Sequence, residues 1–309
     1  LSDGDIRRAI LKGKSTDHTI EGIFFNNPIS LSADYLSVNA ENLFKKKRIS
    51  VVPVTDSSQK ILKLLTWSPD SEDYSIIENH VVLMVGGLGT RLAPLTDHTP
   101  KPLLKVGDKP ILETILERLS LFGFRNVVLC TGYRHEDIVA FCGNGEKFGL
   151  KISYFNENQR LGTIGAIKKV EEHLRKPFLV MNGDLLTLLN YRNILNYHIE
   201  NKSDLTIGST SHQMKVPYGV LEIDGINIRQ IKEKPTYTFR ISGGIYVLDP
   251  SLLEFIPEDV YFDITDLMSK ALKGQRKLTA FPIEEYWMDI GHHDDYHQAN
   301  SDFNDLFSA

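Results

Sequence analysis

The segment best suited to bind phosphate is Gly86-Gly87-Leu88-Gly89-Thr90-Arg91, directly after the apolar run His80–Val85. Its three glycines in four positions allow the backbone to turn sharply and to approach a ligand closely. Backbone N–H groups in such a turn form a concave anion site, and the Arg91 guanidinium is a permanent planar cation suited to phosphate oxygens. Neither a Walker A ending nor a GxGxxG pattern is present. We therefore predict a phosphate loop of another kind, with a plain tight turn as the alternative.

A second cation follows in the same stretch of chain. Lys101 lies ten residues past Arg91, between Pro100 and Pro102. Because proline restricts both its own backbone and that of the residue before it, we expect Lys101 in a stiff, extended segment. A lysine held near Arg91 in this way would meet a polyphosphate, whereas a solvated surface lysine is the alternative.

Two distant carboxylates are candidates for a metal site. Asp184 follows the apolar run Pro177–Met181, and Asp289 follows the strand-like run Leu278–Ile283. Mg²⁺ is a hard cation that takes few protein carboxylates and completes its shell with phosphate oxygens and waters. The pair therefore predicts Mg²⁺ as a cofactor, although each Asp alone also fits a helix N-cap or a turn.

The surrounding segments predict an α/β fold of Rossmann-like, three-layer type with a mixed, mainly parallel sheet. Predicted strands are His80–Val85, Asn126–Cys130, Lys151–Phe155, Pro177–Met181 and Asp204–Ser209; predicted helices are Ile111–Phe122, Glu136–Cys142, Ile164–Leu174 and Tyr191–Glu200. Hairpin-like strands follow at Tyr218–Ile223, Ile228–Lys232 and Gly244–Leu248, and the chain returns to helix around His293–Phe307. Ligands of such sheets bind beyond the carboxyl ends of the strands, where the glycine-rich loop and Asp184 lie.

The first quarter of the chain has a different pattern. Helices are predicted at Asp5–Lys12 and Leu36–Lys47, and β-type runs at Ile49–Val54 and Lys60–Thr66. A segment rich in Ser and acidic residues follows. We predict a small α+β module over residues 1–70, a linker over 71–77 and the main domain over 78–309.

Composition excludes several classes of function. The chain has 309 residues, a net charge of −5 and two cysteines without CxxC spacing. This charge argues against a nucleic-acid binder, and no apolar run reaches the about 18 residues that span a membrane. We expect a cytoplasmic protein with reduced thiols. A homo-oligomer is compatible with the sequence, which does not determine the oligomeric state.

The stretch GGLGTRLAPLTDHTPKPLL, residues 86–104, resembles the signature of sugar-1-phosphate nucleotidylyltransferases with a GT-A-like domain. The resemblance extends over about residues 78–300 and is closest to the mannose-1-phosphate and hexosamine-1-phosphate guanylyltransferase type. It implies transfer of a nucleotidyl group from a nucleoside triphosphate to a sugar 1-phosphate, with release of pyrophosphate. It also implies Arg91 and Lys101 as catalytic residues and Asp184 and Asp289 as the Mg²⁺ ligands.

The segment Leu161-Gly162-Thr163-Ile164-Gly165-Ala166 is similar to the LGT-x-GA segment that lines the base pocket of this family. We expect Gly162 and Thr163 at the start of a helix, with free N–H groups. Members that use uridine or thymidine nucleotides commonly carry Gln four positions before the Leu, where this chain has Glu157. A carboxylate only accepts hydrogen bonds and matches the two adjacent donors of guanine. This favours GTP, with UTP, CTP or dTTP as the alternatives.

Three segments resemble the family's sugar-binding elements: Val216-Pro217-Tyr218-Gly219-Val220, Glu233-Lys234-Pro235 and Ser242-Gly243-Gly244-Ile245-Tyr246. The resemblance implies that Gly219 and Gly244 approach the sugar, that Glu233 meets its hydroxyls and that Lys234 meets its phosphate. Ser242 and Gly243 depart from the usual Asn and Ala. Mannose, glucosamine-type and heptose 1-phosphates all fit. A non-catalytic, nucleotide-sugar-sensing relative is the alternative, but it should have lost one of the cations or acids that this chain retains.

The N-terminal module resembles a cystathionine-β-synthase-type (CBS) domain pair. Residues 1–8 resemble the tail of a truncated first repeat, and residues 22–70 resemble a second repeat. Ser2 and Asp5 have the spacing with which such repeats contact a nucleotide ribose. The resemblance implies a regulatory nucleotide there, with a dimerising or spacing module as the alternative.

Overall fold

The computed structural model of the chain describes residues 3–15, 19–24, 28–32, 51–56, 58–66 and 76–307. Contacts divide the chain into two compact units, residues 1–76 and residues 77–309. Within the described ranges, no helix combines the length and apolar character needed to cross a bilayer.

The first unit contains helix α1 (Asp3–Leu11) and strands β1 (Leu31–Ser32), β2 (Val51–Thr55) and β3 (Ile61–Thr66). Strand β2 lies between the others, parallel to β1 and antiparallel to β3. Its alternate residues Val52 and Val54 are buried, as expected for a strand with one covered face. The predicted helix Leu36–Lys47, Ser2 and residues 71–75 of the predicted linker lie outside the described residues.

The second unit is built on a seven-stranded sheet. Its elements are β4 (Val81–Met84), β5 (Lys105–Val106), β6 (Lys109–Pro110), α2 (Ile111–Leu121), β7 (Asn126–Thr131), α3 (His135–Cys142), β8 (Lys151–Asn156), β9 (Phe178–Asn182), β10 (Leu185–Thr187), α4 (Tyr191–Asn201), β11 (Leu205–Lys215), β12 (Val220–Asp224), β13 (Asn227–Lys232), β14 (Thr236–Leu248), α5 (Ile264–Lys273), β15 (Leu278–Pro282), β16 (Trp287–Asp289) and α6 (His293–Phe307).

The strand order is β15-β11-β14-β9-β4-β7-β8. Strand β14 is antiparallel to both of its neighbours, whereas the other pairs in the sheet are parallel. This confirms the predicted mixed, mainly parallel sheet. Consecutive residues Val81, Val82 and Leu83 are all buried, so both faces of the sheet are covered, as in layered α/β domains.

Several elements differ from the sequence prediction. Residues Gly165–His173 form a 3₁₀ helix, where an α-helix is predicted. Strands β11 and β14 are longer than predicted because they pair with each other beyond the sheet, as far as Lys215↔Thr236. Helix α5 is missed, although Asp263 and Asp266 form a capping box at its start, which is a recognisable sequence signal.

The carboxyl ends of the central strands meet at one edge of the sheet. The glycine-rich loop follows β4, Glu157 follows β8, and Gly183-Asp184 follows β9. Helix α6 fixes the segment between Arg91 and the start of α2: the Tyr296 hydroxyl donates to the Lys105 carbonyl at 2.6 Å, and the Gly107 N–H donates to Asn300 Oδ1 at 3.0 Å. The C-terminal helix thus supports the loop that carries both predicted cations.

Gly183 is fixed by a close contact with the preceding strand end. Its N–H donates to the Met84 carbonyl at 2.9 Å, and a Cβ atom at this position would lie 2.3 Å from Cγ1 of buried Val85. Val85 is β-branched and has little freedom to move aside. A Cβ atom on Gly87 would have no heavy atom within 4 Å.

These two glycines provide a matched test of the packing at the sheet edge. We expect Gly183→Ala to lower the free energy of unfolding by about 2 kcal/mol, because overpacking forces the surrounding backbone to shift. Gly87→Ala should leave stability within about 0.5 kcal/mol of the wild type. Urea denaturation followed by circular dichroism measures both. Equal stability of the two variants would contradict the close contact at Gly183.

Candidate active site

A cavity of about 610 Å³ opens at the carboxyl edge of the sheet. Its walls come from the loops after β4, β7, β8 and β9 together with the segments around Lys101 and Tyr261. Many predicted site residues line it: Gly86, Gly87, Gly89, Thr90, Arg91, Lys101, Glu157, Gly162, Thr163 and Asp184. Residues distant in sequence are thus brought to one cavity.

Lys101 and Asp184 form an ion pair in the cavity wall. Lys101 Nζ lies 2.5 Å from Asp184 Oδ2, and the two side chains are 9% and 26% exposed. The other carboxylate oxygen, Oδ1, is buried and has no hydrogen-bond partner among the described residues. The ammonium group of Lys101 is buried, and it needs a carboxylate partner to offset the cost of its desolvation. One oxygen of Asp184 is therefore occupied and the other is free of protein donors.

The extended conformation predicted for Lys101 is wrong. Lys101–Leu103 is one turn of 3₁₀ helix, preceded by an extended Pro100. The Leu104 N–H closes the turn on the Lys101 carbonyl at 3.0 Å, and the fixed φ of Pro102 is compatible with it. The prolines restrict Lys101 as expected, but they do so in a turn.

Asp289 is placed beside Asp184 by a short strand pair. Strands β10 and β16 are antiparallel with Leu185 opposite Asp289, and the Ile290 N–H donates to the Asp184 carbonyl at 3.1 Å. Burial and the charge of Asp184 raise the pKa of Asp289 above its usual value, whereas Lys101 and Arg91 oppose the shift. The two carboxylates therefore lie close enough to repel each other.

This donor set fits a divalent cation. Two repelling carboxylates and one buried oxygen without a partner would be stabilised by a hard cation that needs few protein ligands. The described residues contain no group of three or more His, Cys, Asp or Glu side chains suited to a metal. A hard ion held by two carboxylates fits the site better than a transition metal that needs several His or Cys ligands.

Arg91 lies in a short 3₁₀ turn, Thr90–Leu92, after Gly89. Gly89 has φ +66, and a Cβ there would lie 2.9 Å from Thr96 Cγ2 and 3.1 Å from Lys101 Cβ, so only glycine fits without strain. One guanidinium nitrogen of Arg91 lies 3.4 Å from His292 Nε2, just before α6. The close packing at Gly89 brings both cations to the same side of the cavity.

Glu157 lies beside the glycine-rich loop after β4, since a Cβ on Gly86 would lie 3.2 Å from its Oε1. Its Oε2 accepts a hydrogen bond from the Leu161 N–H at 3.4 Å, and burial raises the pKa of its carboxyl group. The expectation that Thr163 has a free N–H is wrong, since this group donates to Asp263 Oδ1 at 2.9 Å. A Cβ on Gly162 would lie 2.6 Å from the Phe262 carbonyl. Gly162 and Thr163 both line the cavity, and their backbones also contact the segment that precedes α5.

The residues predicted to bind the sugar lie outside the cavity lining. Gly219 and Glu233 flank the β12–β13 hairpin, and a Cβ on Gly219 would lie 3.2 Å from Glu233 Oε2. Lys234 Nζ is 4.0 Å from Glu233 Oε1. Gly244 has φ +69 and packs against Asn182, which does line the cavity. The structure therefore places Gly244 next to the cavity and the other three together at the base of a hairpin.

Several lining residues were not identified from the sequence: Gly132, Tyr133, Asn182, Tyr261 and Gly291. Gly132 follows the carboxyl end of β7, so the position of the strand could have indicated it. Gly291 follows the recognised Asp289 by two residues. Tyr261 lies in no motif, and no sequence signal marks it.

A glycine-rich loop with two cations beside paired carboxylates, at the carboxyl edge of an α/β sheet, is typical of domains that bind phosphorylated nucleotides. Residues 80–305 match the family model described as nucleotidyl transferase. The chain belongs to this family.

Two curated relatives are similar over about 70% of the chain. The mannose-1-phosphate guanyltransferase of Yarrowia lipolytica is 34% identical over 226 residues, which are 70% of this chain and 61% of the relative. This chain thus spans about three fifths of the length of that relative. The D-glycero-alpha-D-manno-heptose 1-phosphate guanylyltransferase of Aneurinibacillus thermoaerophilus is 33% identical over 225 residues, 72% of this chain and 96% of the relative.

Solved structures show the same fold. HddC from Yersinia pseudotuberculosis, also solved in complex with GMP-PN, is 30% identical with a TM-score of 0.57, covering 73% of this chain and 99% of HddC. A Bacillus anthracis protein described as a glucose-1-phosphate thymidylyltransferase, in complex with sucrose, is 27% identical with a TM-score of 0.62. The similarity covers 74% of this chain and 96% of the Bacillus anthracis chain.

The Lys101–Asp184 pair should be visible in stability measurements. We expect Asp184→Asn to lower the free energy of unfolding by about 2 kcal/mol, because the buried Lys101 charge loses its partner. Adding Lys101→Met should recover at least half of this loss, since the uncompensated charge is then removed. Chemical denaturation of the single and double variants measures the coupling. Glu78→Gln, which breaks the exposed pair with Lys176, is the control and should leave the unfolding midpoint unchanged. Additive effects of the two substitutions would contradict a buried pair.

Proposed function

We propose that this chain transfers a guanylyl group from GTP to a sugar 1-phosphate, forming a GDP-sugar and releasing pyrophosphate. The observation that carries the proposal is the convergence of the glycine-rich loop, Arg91, Lys101, Asp184 and Glu157 on one cavity. The relatives named for mannose-1-phosphate and heptose-1-phosphate guanylyl transfer, and the HddC complex with GMP-PN, support guanine and a sugar phosphate.

In the proposed reaction a phosphate oxygen of the sugar 1-phosphate forms a bond to the α-phosphorus of GTP. The bond from this phosphorus to the oxygen that bridges to the β-phosphate breaks, and its electron pair leaves with pyrophosphate. Both reactants are already anionic, so no proton needs to be removed. Catalysis then consists mainly of positioning and charge neutralisation.

The cations of the cavity divide this task. The backbone of Gly86, Gly87, Gly89 and Thr90 cradles the phosphates. Arg91 holds the leaving pyrophosphate with its planar fork of donors, and Lys101 neutralises charge beside the α-phosphate. Asp184 and Asp289 would hold Mg²⁺, which would supply further charge neutralisation and fix the orientation of the phosphates.

Base and sugar recognition are assigned to separate groups. Glu157 accepts from the N1–H and exocyclic amine of guanine, in a wall formed with Gly162 and Thr163. Glu233 binds sugar hydroxyls, Lys234 steers the incoming phosphate, and Gly219 and Gly244 leave room for the sugar. Mannose, glucosamine-type and heptose 1-phosphates are the candidate substrates.

For the first unit we propose a CBS-like module over residues 1–70 with a truncated first repeat, joined by residues 71–77 to a catalytic domain over 78–309. The combination of α1 with the three-stranded sheet supports an α+β module. Ser2 and Asp5 would bind a regulatory nucleotide, and Asp5 already accepts a hydrogen bond from Arg8 at 2.6 Å. A homo-oligomeric state and a cytoplasmic location stay predictions from the sequence.

Pyrophosphate release from a panel of triphosphates and sugar 1-phosphates tests the reaction. We expect GTP to give the highest kcat/KM and EDTA to abolish turnover until Mg²⁺ is restored. Asp184→Asn should abolish turnover while the protein stays folded, whereas Asp305→Asn, at an exposed position of α6, should behave as wild type. Near-normal turnover of Asp184→Asn would refute the assignment.

Glu157→Gln tests the choice of base. An amide donates where guanine also donates, so we expect KM for GTP to rise by about tenfold or more, corresponding to one hydrogen bond to a charged group. KM for UTP should rise less or fall. Glu172→Gln, on the exposed side of the 3₁₀ helix Gly165–His173, is the matched control. An unchanged ratio of GTP to UTP efficiency in Glu157→Gln would exclude Glu157 from base recognition.

A further inference from the structure

We propose that Tyr261 is a further nucleotide-binding residue, whose ring stacks on the face of the base that Glu157 reads at its edge. This inference rests on the proposed function. Tyr261 lies outside the glycine-rich, base-pocket and sugar-binding motifs, yet it lines the cavity and is 59% exposed. An aromatic ring with this much exposed surface, in a ligand cavity, is available for contact with a planar partner.

The backbone next to Tyr261 is held rigidly to the base-pocket segment. The Phe262 N–H donates to the Leu161 carbonyl at 3.0 Å, and the Phe262 carbonyl accepts from the N–H groups of Ile164 and Gly165, both at 3.2 Å. The positive φ of Gly162 and the absence of its Cβ leave room for this carbonyl. Tyr261 is thus tied to the segment Leu161-Gly162-Thr163 although 100 positions separate Leu161 from it.

Side-chain contacts on both sides of Tyr261 reinforce this connection. Asp263 Oδ1 accepts from the Thr163 N–H at 2.9 Å, and the Ile264 N–H donates to Thr163 Oγ1 at 2.8 Å. Upstream, Gln159 Nε2 donates to the Asp259 carbonyl at 3.2 Å. Because Tyr261 lies between these fixed points, its Cα position is set before a ligand binds, and stacking costs little backbone ordering.

Leu161 connects the ring to the proposed base-reading carboxylate. Its N–H donates to Glu157 Oε2 at 3.4 Å while its carbonyl accepts from Phe262. Glu157 and Tyr261 therefore belong to one hydrogen-bonded wall. A carboxylate recognises the polar edge of a base and an aromatic ring its apolar face, so the two contacts are complementary and do not compete.

The other aromatic residue that lines the cavity is hydrogen-bonded to a different loop. Among the described lining residues the aromatic side chains are Tyr133 and Tyr261. The Tyr133 hydroxyl donates to the carbonyls of Asp97 at 2.9 Å and Thr96 at 3.2 Å. This fixes Tyr133 to the loop that carries Arg91 and Lys101, on the phosphate side of the cavity. The Tyr261 side chain is hydrogen-bonded to Asp263, beside the base-pocket segment, and its exposed ring remains available to the base.

The test compares Tyr261→Ala with Tyr261→Phe. Removal of a stacking ring weakens base binding by about tenfold or more, so we expect Tyr261→Ala to raise KM and the calorimetric Kd for GTP by that factor. The KM for the sugar 1-phosphate and kcat should stay within about twofold. Tyr261→Phe keeps the ring and should bind GTP as the wild type does. Val260→Ala, an exposed neighbour outside the lining, is the control.

The remaining outcomes separate a failure of this inference from a failure of the proposed function. An unchanged Kd for GTP in Tyr261→Ala excludes stacking, equal losses in Tyr261→Ala and Tyr261→Phe assign the effect to the hydroxyl, and a rise confined to the sugar KM assigns Tyr261 to the sugar. A wild type that binds GTP without turnover refutes the proposed reaction, whereas the Kd comparison still decides the role of Tyr261. A wild type that binds no nucleoside triphosphate refutes both.

Discussion

The ion pair of Lys101 and Asp184 is the constraint on which the cavity depends. It joins the segment after β4 to the end of β9, so the two central strands of the site share one buried contact. A buried ammonium group cannot remain unpaired without a large desolvation cost, and it therefore fixes the carboxylate in place. With Oδ2 taken by Lys101, only Oδ1 is left without a protein partner. A cation that bound Asp184 would thus meet an acid that is already oriented, which reduces the reorganisation needed at the moment of binding.

The close approach of backbones around this pair requires residues without side chains. Gly183 packs on Val85, and Gly86 packs on Gly132, where a Cβ on Gly132 would lie 2.9 Å from the Gly86 carbonyl. These contacts bring the loops after three adjacent strands within van der Waals distance. The glycines therefore allow these loops to pack against one another, in addition to leaving room for a ligand. A methyl group would therefore be crowded at Gly183 and Gly132, whereas Gly87 has room for one.

Much of the fold could be predicted from the sequence, as could the convergence of the glycine-rich loop, Arg91 and Lys101 on one cavity. Short apolar runs such as Asn126–Thr131 are buried strands. The carboxyl end of such a strand indicates the edge of the sheet at which a ligand binds. The conformation of Lys101 could not be predicted, because a proline before and after a residue is compatible with both an extended chain and a turn. The state of the Thr163 N–H depends on Asp263, which lies 100 residues away, and no local pattern contains such a contact. Tyr261 was missed for the same reason, since only the folded chain brings it to Leu161.

The division between rigid and exposed elements explains why the proposed sugar contacts are harder to predict than the proposed nucleotide contacts. The glycine-rich loop and Asp184, to which the proposal assigns the phosphates and the cation, follow β4 and β9, whose residues are buried on both faces, so their positions are set by the core. Glu233 and Gly219 instead flank a two-stranded hairpin in which Leu221, Ile223 and Ile231 are exposed. A hairpin of two strands is marginally stable by itself, and its geometry is less constrained by packing than that of a central strand. Side chains there can change without disturbing the core. A motif in the sequence therefore identifies the proposed nucleotide contacts more directly than the proposed sugar contacts at Glu233 and Gly219, which the core constrains less.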